Sequence, residues 1–209
     1  MRRVLVCVLG CIGVAPAFAH AQSAPLPAFV IDVRGAIPML GHSAESAASL
    51  GVDKADVPGR ALGAVAGVHG YPLRTKGFAL GLGGEYLLGR ATNQPTDANG
   101  KALGSAIERR VKALSGQFSL NFGHRRGWSY LTGGTGSGTF DTYLAGATPS
   151  LERRTTVNYG GGARWFTSTH LAFTLDLRYY KFPAANATSS TAARPKGRIM
   201  VFSVGIAAK

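Results

Sequence analysis

Six charged residues stand apart from the rest of this sequence: Asp32, Arg34, Glu85, Arg164, Asp176 and Arg178. Each sits in a segment where every second residue is apolar, so each belongs to the face opposite the apolar one. Three are acids and three are arginines. If that face looks into an enclosed interior, two chemistries are open: ion pairing within a filled core, or a charged, selective lumen or gate. A charge buried without a partner is too costly to keep, so pairing is the expected arrangement. We expect Asp176 to pair with Arg164 across adjacent strands, and Asp32 or Glu85 to pair with Arg178 or Arg34.

Other reactive groups are sparse. The histidines beyond residue 22 are His42, His69, His124 and His170. His42-Ser43 has Glu45 close by, but a nucleophile needs a base and an orienting acid in set geometry, and neighbours on a loop do not supply it. His69 reads as a lone inward lumen residue, and His124 and His170 lie in turns. No metal-ligand spacing occurs, and the glycine runs Gly81–Gly84 and Gly160–Gly162 sit inside alternating segments rather than before a helix. No catalytic residue, cofactor or metal is therefore assigned.

The elements that must position the six charges are strands. Phe29, Ile31, Val33 and Ile37 oppose Asp32 and Arg34; Phe78, Leu80, Leu82, Tyr86 and Leu88 oppose Gly81, Gly83 and Glu85. Leu114, Phe118, Leu120 and Phe122 oppose Ser115, Gln117, Ser119 and Asn121. Leu171, Phe173, Leu175, Leu177 and Tyr179 oppose Thr174, Asp176, Arg178 and Tyr180, and Met200, Phe202, Val204 and Ile206 share a face. Segments 60–71, 128–140 and 155–166 alternate less cleanly and complete eight candidate strands.

The connections alternate in length. Those around 72–77, 124–127 and 168–170 are short, whereas 41–59, 92–107, 141–153 and 183–196 are long and rich in small or polar residues. Short turns at one end, long loops at the other and an even strand number are the signature of an up-and-down membrane barrel. The predicted fold is all-β: an eight-stranded antiparallel up-and-down transmembrane β-barrel. In hydrocarbon every backbone donor and acceptor needs a protein partner, so the sheet must close. Eight strands leave an interior just wide enough for side chains, and inward Gly81, Gly83, Gly160 and Gly162 make room for charged ones. Trp128, Tyr130, Trp165 and Phe166 are assigned to an interfacial girdle, since Trp128, Trp165 and Phe166 flank short turns.

Arg2 and Arg3, an apolar stretch to Phe18 and an A-x-A spacing at 17–19 or 19–21 form a secretory signal peptide, assigned to residues 1–21 and cut before Gln22. The domain division is then 1–21 and a barrel over 22–209. Cys7 and Cys11 fall in the first part, leaving no thiol in the mature chain. Net charge is +13; without Arg2 and Arg3 the balance is 21 basic to 10 acidic residues, or +11. Such an excess calls for an anionic surface. For an exported protein that surface is lipid, with no nucleic acid among its partners. Arg90, Arg109, Arg110, Arg153, Arg154, Arg194, Lys196 and Arg198 flank the long loops, and Arg74, Lys76, Arg125 and Arg126 flank the short turns. The first set would meet outer-leaflet lipid, including anionic lipopolysaccharide, because arginine suits phosphate bidentately.

The stretch Asn158–Tyr180 combines a glycine-rich aromatic strand, a short polar turn and a strand ending Asp176-Leu-Arg-Tyr179. It resembles the penultimate hairpin of the small outer-membrane β-barrel family, the eight-stranded OmpA/OmpX-like barrels of Gram-negative envelopes. The likeness is sharp over 155–182 and diffuse elsewhere. It implies the same barrel fold, an outer-membrane location and the outer-membrane assembly machinery as a partner. Such barrels usually end on an aromatic residue, where this chain ends Val204-Gly-Ile-Ala-Ala-Lys209. The expected function is that of a monomeric, non-enzymatic outer-membrane protein with a structural or surface-interaction role. The alternatives are a narrow porin-like channel for small solutes, a lipid-modifying barrel enzyme and a soluble lipocalin-like carrier. The carrier would place apolar residues inside and charges outside, so Asp176 and Arg178 discriminate.

Overall fold

The structure, a computed structural model, describes residues 26–124, 126–149, 152–184 and 196–209. The segment expected to be a signal peptide, with Cys7 and Cys11, lies outside these residues, as do Arg125 and Arg194. Eight strands follow one another: β1 (Phe29–Met39), β2 (Leu62–Arg74), β3 (Phe78–Asn93), β4 (Ile107–His124), β5 (Gly127–Leu144), β6 (Arg154–Phe166), β7 (Leu171–Phe182) and β8 (Gly197–Ala208). Each pairs antiparallel with the next, and β1 pairs with β8 from Ile31↔Ala208 to Met39↔Met200, closing the barrel. No strand edge is left, as a hydrocarbon surround requires.

The short connections lie at one end (the turn end) and the long ones at the other (the loop end). The first long loop is not wholly irregular. It holds α1 (Ala44–Leu50), whose N-cap Ser43 accepts a hydrogen bond from the Ser46 amide at 3.2 Å and whose C-cap Gly51 has φ 65°. The helix went unpredicted because seven residues are too few for helical periodicity to show.

The two faces of the wall are inverted relative to a soluble barrel. Val33, Leu82, Leu131 and Ile206 are each more than half exposed on the outside, while Asp176 and Arg178 are buried inside at 1% exposure. That placement excludes the lipocalin-like carrier. Outward aromatics pair in two rows. Phe78–Phe122 and Trp165–Phe173 lie near the turn end, and Tyr159–Tyr179 stack at 5.8 Å nearer the loop end, where Tyr86 is also exposed. Aromatic rows flanking an apolar band are the mark of two bilayer interfaces.

The interior has three storeys. At the loop end, Leu40, Val65, Leu87, Val111, Phe182 and Ile199 belong to one apolar cluster. At the turn end, Leu26, Val30, Tyr71, Ala79, Trp128 and Ala172 belong to a second. The six charges lie between. Glycine permits the packing where strands and side chains crowd: a Cβ on Gly160 would sit 2.1 Å from the Leu177 carbonyl oxygen, and one on Gly162 2.6 Å from the Tyr130 hydroxyl.

Candidate functional site: the ionic layer and the outer basic belt

Asp32 and Arg34 leave β1 two residues apart on one face, Glu85 comes from β3, Arg164 from β6, and Asp176 and Arg178 from β7. All six are at most 2% exposed. Arg34 is the hub. Its Nε lies 2.8 Å from Asp32, one terminal nitrogen lies 3.0 Å from Asp176, and the other is bonded to Glu85. Arg178 bridges Asp176 (3.0 Å) on its own strand face and Glu85 (2.9 Å) across the lumen. Arg164 donates to Asp32 at 2.6 Å and lies over the Tyr130 ring at 4.6 Å. The layer thus balances three guanidiniums against three carboxylates, with no net charge buried.

The partners differ in one respect from the expected pairing. Asp176 faces Arg178 and Arg34, not Arg164, which takes Asp32 instead. The register explains this: Arg164 stands opposite Thr174 and Asp176 opposite Gly162, so a direct cross-strand pair is not formed, and Arg164 reaches across the lumen. Hydroxyls complete the layer. Tyr130 donates to Asp176 at 2.7 Å, Tyr180 donates to Glu85 at 2.8 Å, and the Tyr71 hydroxyl accepts from Arg164 at 3.1 Å. His69 is inward but not alone, with Nε2 3.6 Å from Asp32. Tyr180 was legible as an inward residue from its parity with Asp176 and Arg178; Tyr71 lies in a weakly alternating segment and gave no such signal.

The girdle assignment needs correction. Trp128 and Tyr130 are buried at 3% exposure and point into the barrel. Trp128 meets Tyr71 edge-on and stacks on Phe166 at 5.1 Å, closing the turn end of the lumen. Phe166 is half-buried against that cluster, under the Lys209 ammonium. Trp165 does face outward, stacked on Phe173. Proximity to a turn misled because the outward residues beside Trp128 and Tyr130 include Ser129 and Gly133, too small or polar to mark an outer face.

The candidate enzyme residues are not assembled. Ser43 Oγ caps α1, His42 sits against Gly59 on the loop, and His69 is in the lumen. Among the described residues no group of three His, Cys, Asp or Glu side chains is placed to hold a metal ion.

A buried cation outside the ionic layer was not singled out as such in the sequence. Arg109 is 1% exposed and donates from Nε to Thr142 Oγ1 (3.1 Å), and from its terminal nitrogens to the carbonyls of Gly41, Pro58 (2.8 Å) and Leu40. It lies 4.9 Å over the Phe140 ring, and ties the first loop down across the loop end of the lumen. Arg154 is likewise buried, donating from its terminal nitrogens to the carbonyls of Pro183 (2.9 Å) and Phe140 (3.0 Å), so neither it nor Arg109 stands in the lipid-facing set expected of them. Other cations at that end face outward. Arg60, Arg90, Lys112, Arg153, Lys181 and Arg198 are all exposed, forming a belt just beyond Tyr86, Tyr159 and Tyr179. Glu108 is held among them by Arg90 (2.7 Å), Arg110 (3.6 Å) and the Tyr143 hydroxyl (2.8 Å).

No protein-family model matches the chain, and no curated protein matches it in sequence. Solved structures do match. The chain is similar to the Neisserial surface protein A at 11% identity, with 89% of this chain and 99% of that one covered and a TM-score of 0.54. It is also similar to Ail, the attachment invasion locus protein of Yersinia pestis, at 13% identity, with 90% and 99% covered and a TM-score of 0.50. The fold is that of the small eight-stranded outer-membrane barrels. At such identities the likeness carries the architecture alone, and the ionic layer and belt stand on this chain's own residues.

Proposed function

We propose that this protein is a sealed outer-membrane scaffold. It is non-enzymatic, carries its long loops on the cell surface and its termini in the periplasm, and acts through its wall and loops rather than through a bore. The observation that carries this reading is the neutral ionic layer held between two apolar plugs. A conducting path needs water throughout, and Leu87, Val111 and Phe182 above the layer offer water no partners, while Tyr71 and Trp128 fill the space below it with their rings. The narrow-channel alternative would rest on the buried charges, but these are spent on one another. The belt at the loop end supports anionic outer-leaflet lipid, including lipopolysaccharide, as the partner. The test is fractionation of cells, with the recovered protein run on a gel heated and unheated. The scaffold reading predicts recovery in the outer membrane and a compact, fast-running band that slows on boiling. Recovery as a soluble periplasmic protein would overturn it.

A further inference from the structure

The basic belt is not uniform, and its β4–β5 sector differs from the rest of the wall. Outward residues of β1 and β7 are large: Ile31, Val33 and Ile37 on one, Phe173, Leu177 and Tyr179 on the other. On β5, past Leu131, the outward residues are Gly133, Thr135, Ser137 and Thr139. Their β4 and β3 neighbours in the row of Thr135 are Gly116 and Gly84. Nothing in the barrel demands those glycines. A Cβ on Gly84, Gly116 or Gly133 would find its nearest atom 3.8–4.0 Å away, an ordinary contact. The wall is therefore recessed here, in a trough of roughly 20 Å along β5. Leu114 and Phe118 border it on the β4 side, and Val157 and Tyr159 on the β6 side. The Thr135 hydroxyl is turned to the Thr156 carbonyl (3.2 Å), which satisfies it within the wall.

At its loop end the trough opens into a cavity of about 300 Å³, lined by Tyr86 and Leu114 below and by Arg110, Lys112 and Arg153 above. Asp141 also lines it, opposite Arg110 in the register. Arg110 is braced by Glu108 and by the Tyr143 ring at 5.6 Å. Lys112 and Arg153 make no ion pair among the described residues. So three cations, with Asp141 among them, sit directly over a side-chain-poor slot floored by glycine, threonine and serine and flanked by Leu114, Phe118, Val157 and Tyr159.

We propose that this sector is a seat for one phosphorylated lipid of the outer leaflet, the phosphate held by Arg110, Lys112 and Arg153 and one acyl chain lying in the trough. Arginine and lysine at one mouth suit a phosphate, which arginine can take through two parallel hydrogen bonds. The slot below offers dispersion contact to a flexible chain, which fills a recess that fixed side chains leave. A second copy of this chain fits poorly, because it would bring a like-charged belt against this one. The proposal rests on the membrane-scaffold reading and sharpens its lipid partner from a diffuse belt to one site.

Native mass spectrometry of the detergent-solubilised full barrel, titrated with diphosphorylated lipid A and separately with phosphatidylethanolamine, tests it. The variants are Lys112→Gln/Arg153→Gln at the mouth, Lys181→Gln/Arg198→Gln on the opposite wall, and Ser137→Leu in the trough, each checked for heat-modifiable mobility. Ser137→Val serves if the leucine variant does not fold. The site predicts one lipid A retained per barrel. Losing two charge-assisted contacts should weaken retention about tenfold or more at the mouth, and by less than about twofold on the opposite wall. Filling the trough should weaken it with every charge intact. Equal losses from both double variants would overturn the site and leave the diffuse belt standing. No preference for lipid A over phosphatidylethanolamine in any variant would refute the belt as well. A dimer in place of the lipid adduct would assign the trough to a second copy and overturn the proposal.

Discussion

The lumen and the outer rim use the same pair of groups, arginine against carboxylate, and put them to opposite ends. In the lumen, Arg34 touches Asp32, Glu85 and Asp176 with its side chain at 0% exposure. At the rim, Arg90 holds Glu108 at 2.7 Å with its own side chain 56% exposed. The inner pairs are obligatory: once six charges are enclosed, each must find a partner, and removing one strands the others. The outer pair is screened by water and ions and is free to exchange its carboxylate for another anion. One set therefore closes the barrel, and the other is available for its surroundings.

The largest expected effect is at the hub. Arg34→Ala leaves three carboxylates with only Arg164 and Arg178 between them, and urea unfolding in micelles should show a loss of about 3–5 kcal/mol. A loss below about 1 kcal/mol would mean that the layer is solvated and that the comparison fails. Next comes the apolar wall. Leu131→Arg on the outward face should cost about 2–4 kcal/mol by the same measurement if that position lies within the bilayer-spanning band. A smaller, paired test separates the two faces of the wall with one methyl group. Gly160→Ala should lower the unfolding midpoint, because its Cβ meets a backbone oxygen at 2.1 Å, while Gly116→Ala, with 3.9 Å of room, should leave it unchanged. The smallest effect belongs to the rim: Arg90→Gln should change stability by no more than about 1 kcal/mol, and less in high salt.

Much of this was legible in the residues, and the exceptions share a cause. Alternation placed Asp32, Arg34, Glu85, Arg164, Asp176 and Arg178 on the inner face because their strands carry large apolar residues on the other. The length pattern of the connections ordered the strands. Trp128 and Tyr130 were misplaced where that marker is weak, on a strand whose outer face, Leu131 apart, runs mostly to glycine, serine and threonine. That same poverty of side chains is what makes the trough. Partner choice was not legible either: Arg164 reaches Asp32 on a strand 132 residues away in sequence, a contact fixed by barrel closure rather than by any local spacing. Arg109 was invisible as a clasp, since its acceptors are backbone carbonyls of the first loop, which any sequence would supply.

The claim that the lumen is closed is tested most directly by conductance. Purified barrel reconstituted in a planar bilayer should give no discrete current steps across the physiological range of potential, and Arg34→Ala, if it still inserts, should be the first variant to leak. Sustained, ion-selective openings of the unaltered protein would contradict a lumen sealed by its own charges.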